Sequence, residues 1–413
     1  MKIKLVPLFL ALLMCLFAFT GCQSSKLSSY SEDMALEQEQ TGDGANASPE
    51  VGTSQDGKPK DYTAAYNAYP LDEVMLTVDG VNISWGELFY WYIFDVSNME
   101  MYFGEISDWD AKCSFDDSIT NREYVMKNAL ETIKHYSALE RKAADMGVEL
   151  NEIDTKMLEA AWQQNVVNYG NGDEQAFIDY MATAYLSKEV YDHVNKVSAL
   201  YQRMLDETFG INGEKLDEKE ILDKAEEMGY RRTKHILLST LDDTKTKLPE
   251  DQIAAKKAQA DQLYAELSAI SDPAALEAKM DELIASVGED PGAAYYKDGY
   301  TFLPGSMAES FDAAAQELDI NELSGVVESE FGYHIILRLP LDTKAAVEYN
   351  SSDSFTTLGT YVAQELFSAQ TQNWANEATV ETTEAYDNLD LAKVFGAPAE
   401  AADKADKKEK EEK

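Results

Sequence analysis

The chain has 413 residues and a formal charge of −41 at pH 7, with 76 acidic residues against 35 basic ones. A protein this acidic repels phosphate backbones, which argues against nucleic acid as a partner. The simpler interpretation is that the charge keeps an exposed protein soluble. The length is sufficient for about two or three domains at roughly 150 residues each.

The first residues have the pattern of a secretory signal peptide. Two lysines within the first four residues precede an apolar run at 5–19, which is short for a membrane span, and Cys22 follows a pair of small residues. Residues 1–21 resemble a bacterial lipoprotein signal, although Phe19 replaces the usual leucine. The resemblance implies cleavage before Cys22, lipidation of Cys22 and anchoring to the extracytoplasmic face of a bacterial cell membrane. The alternative is an ordinary secreted protein whose Cys22 is incidental.

The cysteine content limits the covalent stabilisation of the fold. Of the three cysteines, Cys15 lies in the predicted signal and Cys22 at its end, so only Cys113 remains in the predicted folded part. An intramolecular disulfide is then impossible, and the fold depends on its hydrophobic core.

A tether and a helical domain are predicted after the signal. Residues 22–70 are rich in small polar and acidic residues, which predicts a flexible tether. Order is expected from a short strand at Val74. Ser84, with Glu87 three residues later, then predicts the N-terminus of an aromatic-rich amphipathic helix.

Apolar spacing predicts further helices at 121–146, 152–168 and 173–209, so that residues 71–229 form a mainly helical domain. Most methionine and aromatic side chains of this domain are expected to form its core. The alternative is that some of them form an adaptable surface for unfolded proteins, since thioethers and aromatic rings fit many apolar shapes.

From residue 230 the pattern changes to mixed strands and helices. The predicted elements are a strand at 232–239, helices at 250–269 and 273–286, a short strand at Phe302, a helix at 307–317, and paired strands at 326–328 and 333–339. This order predicts an α+β domain at 230–341 with helices on an antiparallel sheet. An amphipathic helix at 355–378 follows, within a C-terminal helical segment at 342–396, and a charged disordered tail is expected at 397–413.

Two of the four histidines, His235 and His334, lie in short apolar and β-branched runs of this domain. A histidine in a buried strand is commonly a core residue, but two such strands could bring their imidazoles to one cleft. Between them come Asp290, a turn-rich stretch at 296–300, and then Phe302, Met307 and Phe311.

This order of residues resembles the parvulin family of peptidyl-prolyl cis/trans isomerases, and the whole chain resembles foldase lipoproteins of the PrsA type. The resemblance implies a parvulin-like antiparallel sheet with helices, inserted in or following a mainly α-helical, SurA-like chaperone domain. It also implies that the C-terminal segment packs back on the helical domain. The partners would be unfolded or partly folded exported polypeptides that contain X-Pro bonds.

The resemblance also assigns the site. The implied catalytic residues are His235, Asp290, Ser329 and His334. The implied substrate-binding residues are Tyr300, Phe302, Met307 and Phe311, with Met307 and Phe311 four apart on one helical face as the proline-binding wall. The stretch at 296–300 replaces the family's usual Gly-Gly-Asp-Leu-Gly turn, so the apolar contact that leucine makes there would come from Tyr300 or be absent.

The implied reaction needs no nucleophile, metal or cofactor, because an X-Pro bond isomerises by rotation over a barrier of about 18–20 kcal/mol. A pocket that prefers the twisted amide is sufficient. Parvulins that select phosphorylated substrates have a basic cluster after the first strand. In this chain acidic residues precede any basic one after Leu238, so the resemblance implies no preference for phosphorylated substrates. The alternatives are a holdase whose isomerase domain is a weak or inactive scaffold, an envelope adaptor with one partner, and a hydrolase that pairs Asp290 with Glu289 or Asp298.

Overall fold

The computed structural model describes residues 61–351 and 354–395. The predicted signal, Cys22, most of the tether and the tail at 397–413 lie outside these residues. Two compact units are present: one contains the described chain up to Met204 together with that from Phe367 onward, and the other is Leu205–Leu366. In sequence, the second unit is thus an insertion in the first.

The α-helices are α1 Thr63–Tyr66, α2 Trp85–Phe103, α3 Asn121–Met146, α4 Glu152–Gly170, α5 Glu174–Ala182, α6 Lys188–Phe209, α7 Glu218–Met228, α8 Glu250–Ser268, α9 Pro273–Val287, α10 Glu309–Glu317, α11 Leu358–Asn376, α12 Glu384–Asp387 and α13 Leu391–Phe395. The strands are β1 Val74–Val78, β2 Val81–Ser84, β3 Arg231–Ser239, β4 Tyr300–Phe302, β5 Leu323–Glu328, β6 Gly332–Leu339, β7 Ala346–Ser351, β8 Ser354–Thr357 and β9 Val380–Thr382.

In the first unit the two ends of the described chain meet in one sheet. Its strand order is β2-β1-β9, and β9, from the C-terminal segment, pairs antiparallel with β1. The rings of Tyr201 and Phe367 also meet at 4.8 Å between centroids. The C-terminal segment therefore completes the fold that the N-terminal segment begins.

Helix α2 lies at the centre of this unit. Ser84 accepts a hydrogen bond from the backbone N–H of Glu87, as its spacing predicts. All of residues 88–93 are buried, however, so this part of the predicted amphipathic helix is enclosed on every side rather than on one face.

A charged cluster joins three helices of the same unit. The imidazole of His193 on α6 lies 3.2 Å from the Glu87 carboxylate on α2 and 3.0 Å from the Glu140 carboxylate on α3. The hydrogen bonds to Glu140 and Glu87 raise the pKa of His193 to about 10. Although burial opposes it, hydrogen bonds from His193 and Lys196 lower the pKa of Glu140 to about 2. His193 and Glu140 are therefore both charged at neutral pH.

Outside residues 230–341, three expected elements differ clearly from the observed ones. The helix predicted at 173–209 is two helices, α5 and α6, with Tyr185 at a φ of +59° between them. The predicted tether ends earlier than residue 70, since α1 begins at Thr63 and the ring of Tyr62 packs on Phe395. The helix predicted from residue 355 begins at Leu358, because the preceding residues form strand β8.

The second unit is built on a four-stranded antiparallel sheet of order β4-β3-β6-β5. One face packs on α8 and α9 around Ile236, Leu238 and Ile335. The other face carries α10 and a smaller apolar cluster that includes Phe302, Phe311 and Ile336. Alternation along β3 and β6 places the two histidines on this second face.

The unit extends beyond the predicted limits of 230 and 341. Helix α7, the β7–β8 hairpin and the start of α11 lie in it, and Ile221, Ala225, Tyr230, Leu358 and Val362 form a further core cluster. The predicted class, an α+β protein with an antiparallel sheet and a mainly helical part, is confirmed. Among the residues described, no helix is long and apolar enough to cross a membrane.

Candidate active site

His235 and His334 lie on neighbouring central strands. The β3–β6 register pairs His235 with Ile336 and Leu237 with His334, so the two histidines are diagonal neighbours on one face of the sheet. Their ring centroids are 5.4 Å apart. The expectation that two strands bring these imidazoles together therefore agrees with the structure.

Ser329 determines the orientation of His334. Its Oγ lies 2.7 Å from Nε2 of His334 and accepts a hydrogen bond from the backbone N–H of Phe331 at 3.1 Å. Ser329 Oγ and Nε2 thus share one hydrogen bond, and the tautomer of the imidazole decides which of the two atoms donates. The tight turn between β5 and β6 holds this arrangement, with Gly332 at a φ of +145°.

The loop after α9 places Asp290 beside His235. Glu289 attaches this loop to the end of β3: its N–H donates to the carbonyl of Leu237 at 2.9 Å, and its carboxylate accepts from the N–H of Ser239 at 2.7 Å. Glu289 also pairs with Lys256. Because its carboxylate makes these structural contacts, Glu289 is unsuited to the paired-acid chemistry of a hydrolase.

Asp290 is the most accessible charged group of the site. Its Oδ1 accepts from the N–H of Gly292 at 3.1 Å, and its Oδ2 accepts from the hydroxyl of Tyr300 at 2.5 Å. Oδ2 is also 3.6 Å from Nε2 of His235, which is an electrostatic contact rather than a hydrogen bond. The side chains of Asp290 and His235 are 16% and 9% exposed, whereas His334 is 4% exposed as a whole residue.

Burial keeps the imidazoles neutral. It lowers the pKa of His235, with Asp290 opposing the shift, and it lowers the pKa of His334 to about 3 with a further contribution from His235. Burial, followed by the hydrogen bond to Asp290, raises the pKa of Tyr300. At neutral pH the site thus holds two neutral imidazoles and a phenol that donates to Asp290.

An apolar wall lies against the histidines. The Phe311 ring meets both imidazoles edge to face, with centroids 5.1 Å from His235 and 5.3 Å from His334. Phe302 and Phe311 are buried, and Met307 and Tyr300 pack on their cluster while partly exposed. Met307 precedes α10, which begins at Glu309, so the prediction that it shares a helical face with Phe311 is wrong.

A side-chain cap holds the loop that carries Met307. The buried carboxylate of Asp312 accepts hydrogen bonds from the N–H of Gly305 and from the amide of Gln316. Gly305 has a φ of +86°, which favours glycine. This tertiary contact, not helical spacing, brings Met307 to the apolar cluster.

Two residues of the site carry no signal in the sequence pattern. Gly292 allows Tyr300 to reach Asp290, since a Cβ at Gly292 would lie 2.0 Å from the Tyr300 hydroxyl. Tyr296 stacks on Tyr300 at 4.4 Å. Both contacts form only when the loop that carries Gly292 and Tyr296 folds against Tyr300 on β4, so the sequence pattern does not reveal them. In the part of the chain that the structure describes, no cluster of histidine, cysteine and acidic residues could hold a metal ion.

The segment that forms the site matches a known family. Residues 235–339 match the family model described as Rotamase: PPIC-type PPIASE domain. The predicted resemblance to parvulins is confirmed by this match.

Similar proteins include foldases. The Foldase protein PrsA of Staphylococcus epidermidis is 25% identical over 189 residues, which cover 45% of this chain and 52% of the relative. A Drosophila melanogaster protein, dodo, provisionally named a peptidyl-prolyl cis-trans isomerase, is 44% identical over 62 residues, or 15% of this chain and 37% of that protein. The chain thus spans about half or less of the length of these relatives.

Among solved structures, that of the foldase protein PrsA from Streptococcus pneumoniae aligns with 67% of this chain and 94% of its own. Its sequence identity is 15% and its TM-score is 0.27.

Proposed function

We propose that this chain, whose residues 235–339 match a PPIC-type domain, is a peptidyl-prolyl cis/trans isomerase that also acts as a chaperone for exported proteins. The observation that carries the proposal is the pair of neutral imidazoles and the Asp290 carboxylate beside an apolar wall. Such a site grips an apolar ring and presents polar groups to an adjacent amide, without a nucleophile.

The reaction is a rotation about the X-Pro bond, so catalysis depends on preferential binding of the twisted amide. The proline ring would contact Met307 and the edge of the wall formed by Phe302 and Phe311. Rotation leaves the proline nitrogen more basic and the carbonyl less conjugated. Polar groups that are already oriented can stabilise this change without reorganisation.

The proposed roles of the polar residues follow from how accessible each side chain is. Asp290 and His235 are the more accessible and would face the substrate amide, with Tyr300 orienting the carboxylate. His334 is buried and Ser329 bonds it, so these two would position His235 rather than touch the peptide. Because both imidazoles are neutral at pH 7, neither is proposed to act as a cationic acid.

The isomerase proposal is tested with unphosphorylated X-Pro peptides. Cis/trans exchange is measured by NMR with the chain from Ser24 onward, which contains every described residue. Asp290→Ala should lower catalysed exchange about tenfold or more, through loss of a preorganised charge. Asp298→Ala, in an exposed turn of the same unit, is the matched control. Equal rates in the wild type and Asp290→Ala would overturn the assignment of the site.

The alternative is a holdase in which residues 235–339 are a weak or inactive scaffold. Both functions protect unfolded proteins from aggregation, so only a proline-limited refolding rate separates them. Asp290→Ala should slow such refolding and leave protection from aggregation unchanged. Protection without any acceleration, in wild type and variant alike, would favour the holdase.

We also propose that the mature protein is tethered to the extracytoplasmic face of a bacterial membrane through a lipid on Cys22. The pattern of residues 1–22 supports this proposal. Metabolic labelling with a tagged fatty acid should label the wild type and not Cys22→Ser. Labelling of both would contradict the anchor.

A further inference from the structure

A row of aromatic rings leads from the candidate site to the surface of the same unit. Tyr300, which bonds Asp290, stacks on Tyr296 with centroids 4.4 Å apart and planes at 23°. Tyr349 on β7 then meets Tyr296 edge to face at 4.8 Å. The row therefore continues beyond residues 235–339 to the β7–β8 hairpin.

The outer end of the row is exposed. Tyr349 pairs across the hairpin with Phe355 at 5.4 Å, and Tyr295 approaches it at 6.4 Å. Tyr295 is 57% exposed and Phe355 is 47% exposed, while Tyr296 and Tyr349 are half-buried. We call Tyr295, Tyr296, Tyr349 and Phe355 the aromatic platform. Two exposed rings that both contact a half-buried one form a continuous aromatic surface, which indicates binding of an apolar group.

Main-chain and side-chain bonds hold the platform in place. The N–H of Tyr296 donates to the carbonyl of Gly292 at 3.0 Å, in the loop that also carries Asp290. On the other side, the hydroxyl of Tyr361 on α11 donates to the carboxylate of Glu348 on β7. The rings are thus fixed relative to the site, which lowers the entropy cost of binding.

We propose that the aromatic platform binds a bulky apolar side chain of the same polypeptide whose X-Pro bond occupies the site. This inference rests on the proposed function and specifies its substrate class. The centroids of successive rings, from Tyr300 through Tyr296 and Tyr349 to Phe355, are 4.4, 4.8 and 5.4 Å apart. An extended peptide advances about 3.3 Å per residue, so the distance between two neighbouring rings corresponds to fewer than two residues. The contacted side chain thus lies a few positions from the proline.

Charge restricts the same substrate class. Glu348 is a carboxylate next to Tyr349, and the whole chain carries a charge of −41, so an acidic side chain at this position is repelled. The preferred substrates are unphosphorylated segments that combine a proline with a nearby phenylalanine or leucine. The rings give such side chains a complementary apolar surface.

The test compares peptides that differ at one position. Each has one X-Pro bond and carries phenylalanine, leucine, alanine or aspartate at one of the positions two to five residues from the proline, on either side. Exchange is measured by NMR with the wild-type chain from Ser24 onward and with Tyr349→Ala and Phe355→Ala. Tyr264→Ala, which alters an exposed tyrosine on α8 of the same unit, is the matched control, and circular dichroism verifies folding.

The measured quantity is the ratio of kcat/KM between the phenylalanine and alanine peptides at the best position. We expect a ratio of about ten or more in the wild type and in Tyr264→Ala, as for one apolar side chain in a pocket. The ratio should fall towards one in Tyr349→Ala and in Phe355→Ala. A wild-type ratio near one at every position, or a ratio that both platform substitutions leave unchanged, would overturn the proposal.

A second readout separates this inference from the isomerase proposal. If the wild type accelerates no peptide, the proposed activity fails, and dissociation constants of the same peptides are then measured by fluorescence anisotropy. Tighter binding of the phenylalanine peptide that is lost in Tyr349→Ala still supports the platform. Equal binding of all peptides overturns it independently of catalysis.

Discussion

The hydroxyl of Tyr300 donates a hydrogen bond to Oδ2 of Asp290 across 2.5 Å. This bond joins strand β4 to the loop after α9 at the point where the carboxylate faces His235. Tyr300 belongs to the turn that departs from the usual parvulin pattern. In this chain the residue both packs on the apolar cluster and orients the charged group.

Tyr300→Phe should lower kcat/KM for X-Pro exchange about tenfold, because it keeps the ring and removes the donor to Asp290. A hydrogen bond to a charged group contributes about 1.5–3 kcal/mol, which is enough to redirect an accessible carboxylate. NMR exchange with an unphosphorylated peptide measures the change. Tyr264→Phe is the control, and equal activity of the two variants would show that the hydroxyl has no part in catalysis.

Gly292→Ala should reduce activity by a similar factor although it adds one methyl group. The new Cβ would lie 2.0 Å from the Tyr300 hydroxyl, so the tyrosine must turn away from Asp290. Gly325→Ala is a matched control in β5, where no atom lies within 4 Å of the added Cβ. Similar exchange rates for the two variants would contradict the proposed contact. Thermal unfolding verifies that both fold.

His334 should remain neutral well below the usual pKa of histidine, because burial lowers its pKa to about 3. Below pH 6.5 the unfolded chain takes up a proton that the folded chain does not. The contribution of neutral His334 to stability is therefore complete above pH 6.5 and is lost as the pH falls towards 3. Imidazole NMR signals followed from pH 7 to 4 give the direct measurement.

The isomerisation rate should be constant between pH 8 and 6.5, because the pKa values of both site imidazoles are lowered. Assignment of the His334 signal uses His334→Gln. A His334 titration near pH 6.5, or a rate that changes twofold or more across this range, would be inconsistent with a buried neutral pair.

His193 should behave in the opposite way. The hydrogen bonds to Glu140 and Glu87 raise the pKa of His193 to about 10. Its contribution to the free energy of unfolding is therefore complete below pH 6.5 and is lost as the pH rises through 10. His193→Gln should destabilise the first unit by about 2 kcal/mol at pH 6 and by much less at pH 10, since it removes the cation that pairs with Glu87 and leaves Glu140 paired with Lys196 alone. His135→Gln, on the neighbouring α3, is the control.

Tryptophan fluorescence during urea unfolding measures this difference specifically. The five tryptophans are Trp85, Trp91, Trp109, Trp162 and Trp374, all in the first unit. If His193→Gln lowers the free energy of unfolding by the same amount at pH 6 and pH 10, the imidazole is not held in its charged form.

Much of the second unit was predictable because its patterns are local. The apolar runs around His235 and His334 form neighbouring strands, and the predicted ends of α8 and α9 agree with the observed ones to within a residue or two. Ser329 lies five residues before His334 across a tight turn, so its hydrogen bond to that imidazole agrees with expectation. In these cases the chain neighbours of a residue determine its surroundings.

The errors arose where packing contacts, side-chain bonds or very short strands decide the outcome. Aromatic spacing suggested an amphipathic α2, but elements from both ends of the first unit bury its residues 88–93 on every side. Met307 reaches the apolar wall through the Asp312 bond to Gly305 rather than through a helix. The β7–β8 hairpin and its Tyr349–Phe355 pair were missed, because short strands carry little periodicity.

The sequence by itself determined the mixed fold class, the order of the elements from β3 to β6 and the residue types of the site. Alternation of apolar residues, turn residues and helix caps act over a few positions, so they can be recognised in the chain. Only the tertiary structure decided that Tyr300 bonds Asp290, that the imidazoles are buried and neutral, and that rings continue the site to the hairpin. Burial and close contact between residues far apart in sequence are properties of packing, and packing sets both the pKa values and the geometry of the site.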